Sequence, residues 1–199
     1  MRIFAVDTSS ELTSLALVES GLVIGQAEHR NARGHVEAIG ALFKQIPHID
    51  VTESDFVRPD LIVCGVGPGP FTGLRVGIAF AQGLSIAWGV PISGICSLDA
   101  AARAARNAQP ELGKCVVALD ARRNEYYWAK FSDDGNRLNE PQVSLKEDVL
   151  AMDGDIVVDA LPHATSLAQC VGTSEILSLT PLYLRAPDAQ PQAQPGVQS

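Results

Sequence analysis

An α/β fold is what the order of elements predicts, on three observations in the N-terminal half. Three short apolar runs follow one another with only turns between them. From Val36 onward helical and strand patterns alternate. Between one strand and the helix after it lies a glycine-rich turn, Gly65-Val66-Gly67-Pro68-Gly69-Pro70-Phe71-Thr72-Gly73-Leu74-Arg75. Three antiparallel strands followed by alternation is the order of a ribonuclease-H-like unit, in which helices cover both faces of the sheet.

Arg2 to Val6 is apolar and β-branched and ends at the turn-forming cluster Asp7-Thr8-Ser9-Ser10. Thr13 to Val18 and Leu22 to Glu28, separated by Ser20-Gly21, complete an antiparallel meander. Val36, Ile39, Leu42, Phe43 and Ile46 recur at helical spacing behind Gly34, and Pro47 stops that helix. Leu61 to Cys64 reads as a buried strand. The next helix is predicted over Thr72 to Trp88, with Thr72 as N-cap, Gly89 at its end and Pro91 beyond. A strand at Pro91 to Ile95 and a helix from Ser97, its N-cap, to about Asn107 close a first lobe expected over 1–110.

The second half is poorer. Cys115 to Asp120, the turn Ala121-Arg122-Arg123-Asn124 and Glu125 to Phe131 read as strand, turn and strand. After Asp133-Asp134-Gly135-Asn136 come a strand over Arg137 to Ser144, a short helix over Leu145 to Met152, a strand over Asp155 to Val158 and a helix over His163 to Val171. These form a smaller lobe, 111–185. The Pro/Gln run of 186–199 has too few core-forming residues and is expected to be disordered.

With 46% apolar and 19% charged residues in 199, the composition is that of a soluble globular protein. The net charge of −8 argues against a basic face able to grip a phosphate backbone. The four cysteines, Cys64, Cys96, Cys115 and Cys170, lie scattered, mostly inside apolar runs, without zinc-type pairing. They read as buried thiols of a reducing compartment, and the chain enters its first strand with no signal peptide, so a cytoplasmic protein is expected. Arg75 and Gln82 interrupt the Thr72 helix, and it is too short to span a membrane.

The glycine-rich turn has two readings. Glycines allow close backbone approach, and the unpaired N–H groups of a first helical turn favour an anion; a tight strand-to-helix turn uses the same residues. Gly73 is followed by Leu74 where a Walker loop needs Lys, and Pro70 and Thr72 stand where a dinucleotide fingerprint needs glycine. Asp7-Thr8 looks like the first phosphate loop of actin-like ATPases, or a turn that caps the strand end. The matching hairpin reads Asp120-Ala121-Arg122, with a bulky cation in place of glycine. Asp7, Thr8, Gly67, Gly69 and Thr72 are accordingly read as a vestigial phosphate-binding set, with no catalytic residue and no cofactor expected. His35 lacks a second histidine four residues on, since position 39 is isoleucine, so no metal site is expected. His29, His48 and His163 read as isolated.

In the Thr72 helix, Leu74, Val76, Ile78, Phe80, Leu84, Ile86 and Trp88 cover nearly the whole circumference, which predicts burial all round. Gly73, Gly77 and Ala81 form a small-residue stripe that lets another backbone come close. One side of this helix suits the chain's own sheet; the other suits a core element or a partner.

Ile3-Phe4-Ala5-Val6-Asp7-Thr8-Ser9, Arg33-Gly34-His35-Val36-Glu37, the Gly65 to Arg75 segment, Ser97-Leu98, Asp120-Ala121-Arg122 with Glu125 and Tyr127, and Pro181-Leu182-Tyr183-Leu184-Arg185 together resemble the TsaB (YeaZ) family, over about Met1 to Arg185. The resemblance implies an actin/Hsp70-like (ASKHA) fold and a non-catalytic dimerisation subunit of the bacterial tRNA threonylcarbamoyladenosine machinery. Such subunits pair with the catalytic paralogue TsaD through their first two long helices and support the ATPase TsaE. Threonylcarbamoyl then passes from its adenylate to N6 of adenosine 37. The implied partners are TsaD-like and TsaE-like proteins, with tRNA met only through the complex, a homodimer as an option for the isolated chain, and no membrane. Mapped here, the interface candidates are Val36, Ile39, Leu42, Phe43, Gly73, Arg75, Gly77, Ile78 and Ala81. Two departures, Pro70 where serine is usual and Val157-Val158-Asp159-Ala160 without its usual glycine, fit a scaffold better than an ATPase. The competing readings are a small ATPase or kinase of the same fold acting alone, and a metalloprotease-like enzyme, against which the missing second histidine argues.

Overall fold

The computed structural model describes residues 1–31, 34–49, 52, 54–158 and 160–185. Its first seven elements are β1 (Arg2–Asp7), β2 (Leu12–Glu19), β3 (Leu22–Arg30), α1 (His35–Phe43), β4 (Leu61–Gly65), α2 (Phe71–Trp88) and β5 (Ile92–Ile95). The strands make one sheet ordered β3-β2-β1-β4-β5. β1 lies at its centre, antiparallel to β2 and parallel to β4, which explains why Phe4, Ala5 and Val6 are fully buried. Ser20 and Gly21, both at positive φ (49° and 84°), turn β2 into β3 in the tight form that suits the strands' twist.

α3 (Ser97–Ala108) leads to a second sheet of β6 (Cys115–Arg122), β7 (Glu125–Phe131), β8 (Gln142–Leu145) and β9 (Asp155–Val158), with α4 (Lys146–Leu150) before β9. Its order, β8-β7-β6-β9, repeats that of the first sheet without a fifth strand. Two ribonuclease-H-like lobes in tandem, the second reduced, are the actin/Hsp70-like fold expected from the sequence.

Several boundaries differ from expectation, each for a local reason. α2 starts at Phe71, with extended Pro70 as N-cap (φ −60°, ψ 135°) and no side-chain cap, so Thr72 is not the cap. Ser97 is likewise the first helical residue after Cys96, because its hydroxyl is engaged by Asp7. α1 ends at Phe43, a turn before Ile46. The strand expected over Arg137 to Ser144 shrinks to Gln142–Leu145. Arg137 makes only a single bridge to Phe131 and turns its guanidinium to the buried Asp99 carboxylate, 2.9 Å away. Arg33, Asp159 and the tail of 186–199 lie outside the described residues.

One face of the first sheet packs on α1 and α2, with Phe4, Leu15, Leu17, Ile39, Leu42, Leu74 and Ile78 in the core. Trp88 closes this core against Phe4, edge-on at 5.6 Å, and Phe43, stacked at 6.0 Å. The opposite face packs on α3 and on α5 (Ala164–Gln169), whose Ala164, Leu167 and Ala168 sit against Ile3, Ala5, Ala16 and Val63. Small residues on α5 let it lie close to the sheet. α5 thus contributes to the core of the first sheet, although it follows β9 in sequence. The chain then crosses back as a strap. Leu177 exchanges two backbone hydrogen bonds with Gly94, and Leu182 N–H donates to Val66 C=O at 2.7 Å.

Candidate functional site

The glycine-rich turn closes on the end of β1. Asp7 is fully buried; its Oδ1 accepts from Ser9 N–H and Ser9 Oγ, both at 2.8 Å, and its Oδ2 accepts from Ser97 Oγ at 2.9 Å. Ser97 Oγ in turn accepts from Gly67 N–H at 3.2 Å. Burial pushes the Asp7 carboxyl up to about 6, against the opposing pull of the bonds from Ser9 and Ser97. Thr8 Oγ donates to Gly73 C=O at 2.7 Å and accepts from Gly77 N–H at 3.0 Å, so its hydroxyl stands between two α2 groups that ordinarily bond each other. A Cβ on Gly69 would fall 2.2 Å from Ser9 C=O.

Of the five residues read as a phosphate set, Asp7 and Gly67 are joined through Ser97, and Gly69 faces the backbone of Ser9, which bonds Asp7. Thr72 stands apart and exposed. The polar atoms of the other members engage neighbours outside the set: Asp7 bonds Ser9 and Ser97, Gly67 bonds Ser97, and Thr8 bonds Gly73 and Gly77. On the second lobe Asp120 pairs instead with Lys146 Nζ at 2.7 Å.

The histidines are also placed by hydrogen bonds. His35 is buried with Nδ1 2.7 Å from Thr13 Oγ, and burial lowers its pKa. His163, expected to be isolated, pairs with Glu28 at 2.7 Å, and Ser14 Oγ donates to the same carboxylate oxygen at 2.9 Å. The hydroxyl therefore serves the acid and not the imidazole, which is not the order of an activated nucleophile. His48 meets Asp55 at 2.6 Å. Among the described residues no three His, Cys, Asp or Glu side chains gather as a metal-binding group.

The accessible chemistry lies on the outer face of α1 and α2. The sequence predicted α2 buried all round; instead Thr72, Arg75, Ala79, Gln82, Gly83, Ile86 and Ala87 are exposed, Ile86 by 84%. The helix lies on its sheet beside α1, so only the inward side is covered. The stripe Gly73-Gly77-Ala81 is on that inward side: a Cβ on Gly73 would stand 2.5 Å from Thr8 C=O, and one on Gly77 would stand 2.3 Å from Thr8 Oγ. The backbone that approaches it is this chain's own.

The interface candidates divide accordingly. Ile39, Leu42, Gly73, Gly77, Ile78 and Ala81 are buried within the chain, Phe43 is half-buried, and Val36 (63%) and Arg75 are exposed. Of the candidates only Val36 and Arg75 are exposed; α1 and α2 also expose Gly40, Ala79, Gly83 and Ile86, none of which is among the interface candidates. A Cβ built on Gly40 or Gly83 meets nothing within 4 Å. The signal available for Ala79 and Gly83 was a second small-residue register, 72, 79 and 83, out of phase with 73, 77 and 81.

The strap completes this face. Tyr183 stacks on Phe71 with ring centroids 4.5 Å apart, and Arg75 lies 3.7 Å over the Phe71 ring while its Nε donates to Tyr183 Oη at 3.0 Å. Among the described residues no helix is long and apolar enough to cross a membrane.

Comparison with known proteins places these features in a family. The family model described as TsaD: tRNA N6-adenosine threonylcarbamoyltransferase matches residues 26–176. An uncharacterized protein of Mycobacterium tuberculosis (strain H37Rv) is 34% identical over 210 residues, 96% of this chain and 95% of that protein. The tRNA threonylcarbamoyladenosine biosynthesis protein TsaB of Escherichia coli K12 is 32% identical over 153 residues, 75% of this chain and 64% of that protein. Among solved structures, an uncharacterized Pseudomonas aeruginosa protein with similarity to peptidase YEAZ superposes with a TM-score of 0.74 at 25% identity, over 92% of this chain and 99% of that one.

Proposed function

The chain belongs to the family whose model is described as TsaD, alongside relatives named TsaB, and from that premise we propose that it is a non-catalytic scaffold subunit which pairs with a TsaD-type paralogue through the outer face of α1 and α2. Its process is tRNA threonylcarbamoyladenosine biosynthesis. In this reading the paired subunits recruit a TsaE-like ATPase in the cytoplasm, the transfer to adenosine occurs on the paralogue, and tRNA is met through the assembly.

One observation carries the reading. In a chain of net charge −8, the exposed positions of α2 include one charge, Arg75, and one long uncharged polar side chain, Gln82, and are otherwise small or apolar. Depletion of charge at the centre of a patch is what distinguishes an interface core from ordinary surface. Glycine inside an exposed helix costs about 0.5 to 1 kcal/mol relative to alanine, and Gly40 and Gly83 give the free chain nothing in return. A partner helix that comes close enough to need their bareness would explain both. A paralogue of the same family supplies such a helix pair.

Ile86→Glu tests this without touching the core, because the side chain already stands in solvent. It should leave the melting temperature within about a degree, as a surface change does. Affinity for the purified TsaD-type paralogue of the same organism should fall by about 100-fold, the scale of a charge buried at an interface centre. After depletion of the native protein, nucleoside mass spectrometry of total tRNA should show threonylcarbamoyladenosine restored by the wild-type chain and not by the variant. Equal rescue by both would remove this face from the function.

A further inference from the structure

We propose that Arg75 is the ionic anchor of the α1/α2 face, held ready by the C-terminal strap to receive a carboxylate of the partner subunit. The proposal rests on the scaffold reading and adds to it the chemistry of one contact and a purpose for the Pro181 to Arg185 segment.

The strap is fixed on both sides of Tyr183. Before it, Leu182 N–H is bonded to Val66 C=O; after it, Arg185 pairs with Glu125 and donates to Ala121 C=O at 3.0 Å. Tyr183 is thereby set against Phe71, and its hydroxyl accepts the Nε–H of Arg75. The guanidinium plane is supported from beneath by the Phe71 ring at 3.7 Å. Ring and hydroxyl together settle the position and tilt of a side chain that is otherwise among the most mobile on a surface.

What Arg75 lacks is an anion. Arg2, Arg30, Arg137 and Arg185 each meet a carboxylate, and the terminal nitrogens of Arg106 donate to four backbone carbonyls. Arg75 makes no ion pair among the described residues, and its single hydrogen bond uses Nε. Its two terminal nitrogens remain as a fork, the geometry that grips a carboxylate in two parallel bonds. A phosphate would suit the same fork, but a chain of net charge −8 repels a polyanion such as tRNA, whereas one carboxylate inside an uncharged patch needs no general attraction. Fixing the donor before binding lowers the ordering cost that an exposed arginine would otherwise bring to an interface.

The test is calorimetric titration of the TsaD-type paralogue of the same organism into the wild-type chain and three variants, at low and high salt. Arg75→Glu should weaken binding at least tenfold and reverse the salt dependence. Arg75→Lys, which keeps the charge and loses the fork, should fall between. Tyr183→Phe keeps the ring stack and removes the hydroxyl, and should weaken binding about threefold with the melting temperature unchanged. A scan of single Asp or Glu to Arg changes on the paralogue's first two helices should find one that restores binding to Arg75→Glu.

Arg75→Glu binding as tightly as wild type would overturn the proposal, as would a loss that no charge exchange repairs. An unchanged affinity for the paralogue with less tRNA retained by the assembled complex would overturn it too and assign Arg75 to phosphate. Absence of binding by the wild-type chain would bring down the scaffold reading and this one together, a result distinct from all the others.

Discussion

Gly69→Ala is expected to lower stability by about 3 kcal/mol, the upper range for overpacking, because the new methyl has nowhere to go. Its Cβ would lie 2.2 Å from Ser9 C=O and 3.0 Å from Ser9 Cα, so the obstacle is backbone and not a side chain that can swing away. Moving Ser9 disturbs both hydrogen bonds it gives to Asp7 Oδ1, and through Asp7 the link to Ser97 at the head of α3. The damage should appear as a loss in urea-unfolding free energy without a change in slope. Gly83→Ala supplies the contrast. It lies in the same helix-and-turn segment, meets nothing, and should stabilise the free chain by about 0.5 to 1 kcal/mol through helix propensity. Equal effects of the two alanines would contradict the packing described.

The second large effect concerns pH. The Asp7 carboxyl, ordinarily near 3.8, is pushed up to about 6 by complete burial. In the unfolded chain it ionises first, while the folded chain still holds its proton. The stabilisation is therefore whole below about pH 4, declines as pH rises, and is lost once pH passes about 6 to 7; the span corresponds to about 3 kcal/mol. Asp7→Asn keeps an oxygen for Ser9 and offers its amide to Ser97 Oγ, and it never ionises. Unfolding free energies at pH 4.5, 6 and 8 should bring the variant progressively above the wild type as pH rises. His163 and Glu28 titrate in both proteins, their ion pair raising the His163 pKa and lowering that of Glu28; the Asp7 charge adds to the rise at His163, so the comparison is repeated in a His163→Gln background to isolate Asp7. Parallel curves for the two proteins would refute the assignment to Asp7.

Much of this was legible in the chain because it is local. The meander follows from short apolar runs with Ser20-Gly21 between two of them, and β9 appears over the residues its β-branched run indicates. The division of α2 into an inner and an outer side was not legible. Gly73-Gly77-Ala81 and the register of Thr72, Ala79 and Gly83 both have helical spacing, and periodicity alone cannot choose between them. The choice is made by Thr8, 65 residues away in sequence, whose hydroxyl needs bare backbone at Gly73 and Gly77. The Ser97 cap failed for a similar reason: a serine beside a helix start looks like a cap until a buried acid from a distant strand claims its hydroxyl. The contact of His163 with Glu28 spans 135 residues and has no sequence signature.

The tryptophans have an optical consequence. The chain holds two. Trp88 is ringed by Phe4, Phe43 and Phe56 in the first sheet's core, and Trp128 is buried on the second sheet with its indole N–H given to Ser144 Oγ. Each sheet thus carries its own fluorophore, one beside three phenylalanine rings and one hydrogen-bonded. Single-tryptophan variants, Trp88→Phe and Trp128→Phe, would let emission from the untouched residue follow each half of the molecule through denaturation separately, showing whether the halves melt in concert or in sequence.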